Sequence, residues 1–226
     1  MRINKLLSNY GYCSRKEANK LIQDKRVIVN GELAIEGQWV EETDTILLDN
    51  VRVKPKDKLY VAFNKPVGIV CTAAKETENN IIDYINYPEY IFPIGRLDKP
   101  SQGLILLTND GELADKILSA ENYHEKEYIV EVDKDIDDEF ILNMSNGIKI
   151  GDRVTRKCQV KALGEKKFSI ILTEGMNRQI RKMCKSLGYE VTFLKRIRIM
   201  NVLIDGIEEG KWRNLSIKEI NTLKNG

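Results

Sequence analysis

Short apolar runs separated by turn residues fill most of the chain after Lys58, and they constrain the fold more than any other feature. LYVAF, YIFPI, LILLT and EYIVEV each have the length of a single strand, and Gly, Pro or Asn punctuates the segments between them. Several segments with helical spacing of apolar residues, such as NRQIRKMCKSLGYE, lie among these runs. Hairpin connections with interspersed helices predict an α+β fold, a mostly antiparallel mixed sheet flanked by helices.

The first part of the chain predicts a separate small unit of two helices and a small sheet. Apolar residues recur at helical spacing after Ile3, and Ser14 with Glu17 three positions later forms a capping box for a second helix. Asn-Gly at 30–31 and Asp-Asn at 49–50 are dipeptides typical of two-residue hairpins.

Composition marks the boundary of this unit. The segment VKPKDK is rich in lysine and interrupted by Pro55, which is typical of a linker. We expect a first domain over residues 1–54, a linker over 55–58 and a second domain over 59–226.

Local signals also predict the extent of later elements. IVCT is expected to continue the strand LYVAF beyond the turn NKPVG, and VTFLKRIRIMNVLI is expected to form one long strand. Asn109 or Asp110 is predicted to cap the helix after LILLT, and Ser216 with Glu219 to cap the final helix.

Basic residues concentrate in two segments, although the net charge is only +2. Seven basic and two acidic residues lie between Met1 and Asn30, and seven basic residues and one acidic residue lie between Gly175 and Met200. Patches of this kind attract phosphate backbones, and a solvated helix face is the alternative interpretation of each. In the first segment, the basic residues expected on the outward helix faces include Arg2, Lys5, Arg15, Lys16 and Lys20.

The sequence lacks the motifs that several classes of enzyme and binding site require. The chain has no P-loop, no G-x-G-x-x-G after a strand, no H-E-x-x-H and no G-x-S-x-G around a nucleophilic serine. Four cysteines without C-x-x-C spacing and a single histidine, His124, argue against a zinc site or a disulfide framework. No apolar run of eighteen residues and no secretory signal is found, which predicts a cytoplasmic protein that does not enter membranes. These exclusions leave two alternatives. One is a cofactorless enzyme that uses carboxylate, arginine and tyrosine side chains, and the other is a protein without enzymatic activity.

The stretch GRLDKPSQGLILLTNDG places Arg96 and Asp98 in a turn between two apolar strands. A surface turn with a local ion pair is one interpretation. Tyr128 in KEYIV, with Arg178 and Arg181 near the start of the helix NRQIRKMC, suggests another: a carboxylate held by two parallel arginine donors beside a tyrosine that stacks or transfers a proton. Arg181 is the better partner for Asp98, because it lies one turn inside the helix.

GRLDKPSQGLILLTNDG, KEYIV and NRQIRKM, in that order and preceded by NKPVGIV, resemble the signature segments of RsuA-type pseudouridine synthases, which modify ribosomal RNA. FPIGRLDKPSQGLI, HEKEY and RIMNV are most similar to the large-subunit synthases of the F type. The first unit resembles the small RNA-binding domain first described in ribosomal small-subunit protein four. The resemblance spans nearly the whole chain, and the order of four motifs makes it specific.

The resemblance implies a role for each matching residue. Asp98 is implied as the nucleophile and Arg181 as its salt-bridge partner, while Tyr128 matches the active-site tyrosine that stacks on the target base. Arg96 matches a residue that enters the RNA helix where the uridine leaves it, and Lys65 matches a motif that supports the active-site floor. The RNA-contacting residues expected besides the amino-terminal basic residues are Arg96, Arg178 and Lys65.

The implied reaction is the isomerisation of a uridine in large-subunit (23S) ribosomal RNA, free or partly assembled, after the base has flipped out of its stack. No cofactor or metal is expected, because the reaction loses no atom, and the expected protein is a monomer. A target in small-subunit ribosomal RNA or transfer RNA remains an alternative, as does a non-catalytic RNA-binding or ribosome-assembly protein.

Overall fold

Two helices and a small antiparallel sheet form the first unit of the protein, whose computed structural model describes residues 1–74 and 76–226. The elements of this unit are α1 (Ile3–Asn9), α2 (Arg15–Gln23), β1 (Val27–Val29), β2 (Glu32–Leu33), β3 (Ile46–Leu48) and β4 (Val51–Arg52). The strand order is β2-β1-β3-β4, and each neighbouring pair is antiparallel.

Local signals account for this unit as predicted. Gly11 follows α1 with a φ of +81°, and Ser14 and Glu17 form the capping box, each side chain accepting a hydrogen bond from the other's backbone N–H, at 3.1 and 2.9 Å. Asn30 and Gly31 both have positive φ, +51° and +90°, as two-residue hairpins of this type require. The enclosed core includes Leu6, Leu7, Ala18, Ile22, Val27, Val29, Val40 and Ile46.

A nine-stranded mixed sheet forms the centre of the second unit. Its strands are β5 (Tyr60–Lys65), β6 (Phe92–Ile94), β7 (Gln102–Thr108), β8 (Lys126–Val132), β11 (Gln159–Gly164), β12 (Lys167–Leu172), β13 (Val191–Ile199), β14 (Val202–Leu203) and β15 (Trp212–Asn214). The order is β11-β12-β8-β13-β7-β5-β15, with β14 on β13 and β6 on β7. Among the described pairs only β13 with β7 is parallel, which confirms the mostly antiparallel mixed sheet. A separate pair joins β9 (Lys149–Ile150) and β10 (Arg153–Val154).

Helices cover both faces of this sheet. They are α3 (Ile81–Ile85), α4 (Gly111–Leu118), α5 (Asp138–Asn146), α6 (Gln179–Ser186) and α7 (Ile217–Asn225), with a 3₁₀ turn at Ala120–Asn122. In β5, Val61 and Phe63 pack with α3, α5 and α6, whereas Tyr60 and Ala62 pack with α4 and α7. A strand buried on both faces is a continuous apolar run, which explains LILLT in β7. None of the helices in the two described ranges is long and apolar enough to cross a membrane.

Two predictions of strand extent are wrong. Residues 69–72 do not extend β5, because the chain turns at Gly68, with φ at +93°, and Val70 then makes one isolated bridge. VTFLKRIRIMNVLI is not one strand either, since β13 ends at Ile199 and Met200, with φ at +49°, lies in a tight turn to β14.

Asn109 holds the chain segment that joins the two units. Its Oδ1 accepts from Leu59 N at 2.9 Å and its Nδ2 donates to Asp57 O at 2.9 Å, while Asp110 is the residue that caps α4. A Cβ on Gly11 would lie 2.8 Å from Asn109 Nδ2, so the first unit approaches Asn109 closely. The two units enclose separate cores, which supports our proposal that 1–54 and 59–226 are domains joined by a linker at 55–58.

The final helix begins as predicted. The Ser216 side chain accepts from Glu219 N at 3.3 Å, and the Glu219 carboxylate accepts from Ser216 N at 2.8 Å. Arg213 donates to both Glu219 carboxylate oxygens, at 2.9 and 2.7 Å, and lowers the pKa of Glu219 to about 2. The cap is therefore tied to β15 as well as to its own helix.

Candidate active site

A cleft of about 380 Å³ brings together five residues predicted from the sequence. Arg96 and Asp98 come from the turn between β6 and β7, Tyr128 from β8, and Arg178 and Arg181 from the start of α6. The apolar residues of the lining include Ile94, Leu97, Ile117, Leu172, Ile180, Leu194 and Ile199. The cleft thus combines an apolar surface, able to hold a flat ring, with a small group of charged side chains.

Backbone contacts fix the turn that carries Asp98. Gly95 has a φ of +77°, a left-handed conformation that glycine adopts without strain. Leu97 is buried, and its N–H donates to Cys71 Sγ at 3.4 Å. Asp98 O accepts from Ser101 N at 2.9 Å and closes the turn. The Asp98 side chain is 31% exposed, so it lines the cleft while its backbone is held.

Arg181 is held by three acceptors other than Asp98. Its Nη1 donates to Val191 O at 3.1 Å, and its Nη2 donates to Pro100 O at 3.3 Å and Ser101 Oγ at 3.2 Å. Its Nε lies 4.0 Å from Asp98 Oδ2 and has no hydrogen-bond partner among the described residues. The expectation of two parallel donors to Asp98 is therefore wrong, because the other guanidinium nitrogens are used to fix the arginine.

This arrangement places a fixed positive charge in front of Asp98. Burial lowers the pKa of the Arg181 guanidinium from its ordinary value, and the charge of Arg178 acts in the same direction, while Asp98 raises it. Arginine titrates so far above neutral pH that Arg181 stays charged. The remaining free donor, Nε, faces the carboxylate of Asp98.

Tyr128 lies in the floor of the cleft above Arg196, a buried arginine whose only sequence signal is its place in the basic segment 175–200. Tyr128 is 9% exposed and lies opposite Arg196 of β13. Arg196 is 4% exposed, its Cζ lies 6.0 Å from the Tyr128 ring centroid, and its Nε donates to Leu104 O at 2.6 Å. Its Nη2 has no hydrogen-bond partner among the described residues. A cation facing the ring favours this packing.

Gly103 allows β7 and β13 to approach closely beneath this floor. Its φ is +107°, and a Cβ at this position would lie 2.2 Å from Arg196 O. Any side chain here would collide with the backbone of β13. The QGL segment after the Asp98 turn is therefore fixed by packing against Arg196.

Arg96 and Arg178 lie at the rim of the cleft, and both are exposed. Arg178 precedes α6 with a φ of +53°, a conformation that is uncommon for a non-glycine residue. None of the ion pairs in residues 1–74 and 76–226 joins Arg96 to Asp98; the carboxylate pairs with Arg181 instead. This geometry disfavours the interpretation of a local surface ion pair.

The burial of Lys65 disfavours the prediction that it contacts RNA. The Lys65 side chain is fully buried, and its Nζ donates to Pro66 O at 2.8 Å. Burial lowers the pKa of its ammonium group. Lys65 therefore has no surface to offer RNA, and its support of the active-site floor stays a prediction.

The five basic residues predicted in the first unit lie outside the cleft. All five are exposed on the surface of that unit, and the lining of the cleft comes entirely from the second unit. They are Arg2, Lys5, Arg15, Lys16 and Lys20. The structure thus separates the two predicted basic regions, one around the cleft and one on the first unit.

Arg156, which the sequence did not single out, braces another wall of the cleft. Its Nη1 donates to Ala120 O at 2.8 Å and to Thr173 O at 3.3 Å, and both acceptors belong to cleft-lining residues. Its guanidinium lies over the Tyr123 ring, 4.1 Å from the centroid. Arg156 N also donates to Glu174 Oε1 at 2.9 Å. These contacts join two loops that are distant in sequence, so no local pattern could reveal them.

No cluster of three His, Cys, Asp or Glu side chains suited to a metal ion is found in residues 1–74 and 76–226. The four cysteines are free thiols.

Two known protein families match the chain, one in each of its two units. A family described as RNA pseudouridylate synthase matches residues 59–186, and the S4 domain family matches residues 1–46. A crystal structure of a pseudouridylate synthase superposes with a TM-score of 0.73 and 27% sequence identity, covering 99% of each chain.

Individual relatives extend over nearly the whole chain. The dual-specificity RNA pseudouridine synthase RluF of Salmonella typhi is 50% identical over 222 residues, which cover 97% of this chain and 77% of that protein. RluF of Escherichia coli (strain K12) is 48% identical over 223 residues with the same coverage. The ribosomal large subunit pseudouridine synthase B of Bacillus subtilis (strain 168) is 32% identical over 232 residues, covering 99% of this chain and 95% of that protein.

These matches confirm the family that the sequence motifs indicate. The synthase family covers more than half of the chain, and the relatives share its full two-unit organisation. The chain therefore belongs to the RsuA-type RNA pseudouridine synthases that carry an amino-terminal S4 domain.

Proposed function

We propose that this enzyme converts uridine to pseudouridine in large-subunit ribosomal RNA, with Asp98 as its nucleophile. The observation that carries the proposal is the Asp98 carboxylate, which faces the half-buried Arg181 in a cleft that also holds Tyr128. The name of the Bacillus subtilis relative supports a large-subunit target. The dual specificity named for the RluF relatives supports a second class of RNA substrate, for which we propose transfer RNA.

The reaction rearranges one nucleotide without a net gain or loss of atoms. The bond from uracil N1 to ribose C1′ breaks, the base turns, and a bond forms from C5 to the same ribose carbon. A proton leaves C5, and N1 gains one. Asp98 can serve either by adding to uracil C6 or by attacking ribose C1′. In both routes Arg181, fixed by its three acceptors, orients the carboxylate.

The target base has to leave its stack before Asp98 can reach it, at a cost of a few kcal/mol. Arg96 is exposed at the rim, two residues before Asp98, and we propose that it occupies the space that the base vacates. Tyr128 presents a ring in the cleft floor on which the flipped uracil stacks.

Tritium release tests the proposal directly. RNA labelled with tritium at uridine C5 loses the label when C5 bonds to the ribose, so the protein should release tritium from ribosomal RNA. Mapping pseudouridines in RNA from cells with and without the gene then identifies the position. Full RNA binding with no release from ribosomal or transfer RNA would instead favour a non-catalytic RNA-binding or assembly protein.

The exposed basic residues of the first unit are expected to bind RNA backbone. Replacing Arg15, Lys16 and Lys20 with Glu should weaken RNA binding and make the negative slope of log K against log salt shallower by about 2 to 3, since fewer counterions are released. Glu at positions 15 and 16 lies in the first turn of α2, where the helix dipole favours it, whereas Glu at position 20 lies in the last turn, where the dipole disfavours it. A thermal melt of the variant therefore checks that it is folded. Binding measured at several salt concentrations provides the check.

A matched control reverses three exposed lysines of the second unit. Lys149, Lys161 and Lys218 are exposed and do not line the cleft. Their reversal should leave the salt slope nearly unchanged. An equal loss of slope in both triple variants would show that only total charge matters and would contradict a binding surface on the first unit.

The proposed substrate places the enzyme in the cytoplasm with ribosomal RNA. Every residue to which we assign a role in the cleft comes from one chain. We therefore propose that a monomer is sufficient for activity, which the oligomeric state of the active species in solution would test.

A further inference from the structure

Lys126 lies in the cleft next to Tyr128 but has no role in the chemistry described so far. The two residues are two positions apart in β8, so their side chains are on the same face of the sheet. Lys126 is half-buried, lines the cleft, and its Nζ donates to His124 O at 3.1 Å. None of the ion pairs among the described residues involves Lys126, which leaves its remaining N–H donors without a carboxylate.

The two acidic side chains found in the cleft lining interact with residues other than Lys126. Asp98 faces Arg181, and Glu174 Oε1 accepts from Gln179 Nε2 at 2.8 Å and from Arg156 N at 2.9 Å. The cations that line it are Arg96, Lys126, Arg178, Arg181 and Arg196. The cleft therefore carries an excess of positive charge, which is where an anionic ligand binds most favourably.

Within this group of cations, Lys126 and Arg196 are two neighbours that are partly or fully withdrawn from solvent, which is unfavourable for their charges in the free protein. Arg196 is buried and donates through Nε to Leu104 O, and its Nη2 has no hydrogen-bond partner within residues 1–74 and 76–226. Burial, reinforced by the charge of Arg196, lowers the pKa of Lys126 to about 8. Two neighbouring cations without a carboxylate repel each other, and an anion bound beside them would remove that cost.

We propose that Lys126 binds a phosphodiester group flanking the uridine that enters the cleft, with Arg196 adding its charge from beneath. This inference rests on the proposed function, since it is the flipped nucleotide that brings its phosphates to the cleft. Uracil itself is neutral, so the phosphate is the anion that the RNA can supply. A lysine suits this task because an ammonium group binds a phosphate as a point charge.

Neutral replacement of single phosphates tests the proposal. A stem-loop RNA with tritium at C5 of the mapped target uridine would carry a methylphosphonate on the 5′ or the 3′ side of that uridine. With the wild-type protein, one of the two replacements should lower kcat/KM by about 10-fold to 100-fold, the range of a charge-assisted hydrogen bond. Lys126→Gln should cause a similar loss on unmodified RNA and no further loss on the modified RNA.

Two other variants separate charge from structure. Lys126→Arg keeps the charge and should remain sensitive to the same methylphosphonate. Lys167→Gln is the matched control, because Lys167 also lies in a strand, pairs with Glu131 at 3.0 Å and does not line the cleft. It should behave as the wild-type protein does.

Equal sensitivity of the wild type and Lys126→Gln to both replacements would overturn the phosphate site, as would a wild-type protein insensitive to both. Failure of the proposed function has a different result, since the wild type would then release no tritium from any RNA. In that case the affinities of unmodified ribosomal RNA for the wild type and for Lys126→Gln still decide whether Lys126 binds the RNA, and equal affinities would overturn the site.

Discussion

Replacement of Asp98 with Asn is expected to lower tritium release by more than about 10³-fold while RNA affinity and thermal stability stay near those of the wild type. An amide has nearly the shape of the carboxylate but cannot form the covalent adduct that either route requires. The turn does not depend on this side chain, because it is fixed by Gly95, Leu97 and the backbone of Asp98. Initial rates with C5-tritiated RNA, beside a binding titration, measure both quantities.

Two further variants make this result decisive. Asp98→Ala cannot revert to aspartate by deamidation, so it should be at least as inactive as Asp98→Asn. Asp115→Asn changes an exposed aspartate of α4 outside the cleft and should keep full activity. Appreciable activity in Asp98→Ala would show that another group is the nucleophile.

Replacement of Arg181 with Met is expected to lower tritium release by about 10²-fold or more, because the carboxylate loses the charge that orients it. The same change removes the bonds to Val191 O, Pro100 O and Ser101 Oγ. Each hydrogen bond to a charged group contributes about 1.5–3 kcal/mol, so the thermal midpoint should also fall. Activity and melting are measured on the same preparation.

The variants Arg181→Lys and Ser101→Ala separate the effect on activity from the effect on stability. Arg181→Lys keeps a positive charge but cannot reach all three acceptors, so it should recover part of the activity and little of the stability. Ser101→Ala removes one acceptor and leaves the charge, which should cost about 1 kcal/mol of stability and little activity. If Arg181→Lys were as inactive as Arg181→Met at a temperature where both are folded, the charge would not be what Asp98 needs.

Elements with signals confined to a few residues could be predicted from the sequence. The turn at Asp49 and Asn50 has both residues at positive φ, +50° and +64°, as its dipeptide indicates. Ser216 caps the final helix because its partner, Glu219, lies only three positions away. Asp98 and Tyr128 could likewise be located, because each lies in a motif beside or within an apolar strand.

Features that depend on distant parts of the chain could not be predicted. The acceptors of Arg181 are fixed only when α6 packs between the Asp98 turn and the start of β13. Lys126 and Arg196 become neighbours through the pairing of β8 with β13. The burial of Lys65 could not be predicted either, because a lysine ordinarily lies at the surface, whereas here it completes a strand that is buried on both faces.

Because β13 lies in the middle of the sheet, the S4 domain can fold during synthesis before the cleft that holds Tyr128 and Asp98 is assembled. β13 lies between β8 and β7, so until residues 191–199 enter the sheet, the strands that carry Tyr128 and those that adjoin Asp98 form separate halves. The S4 unit is complete before either half exists, and amino-terminal domains fold first on the ribosome. We therefore expect a chain lacking β13 to keep a folded S4 domain, while Tyr128 and Asp98 are not assembled into one cleft.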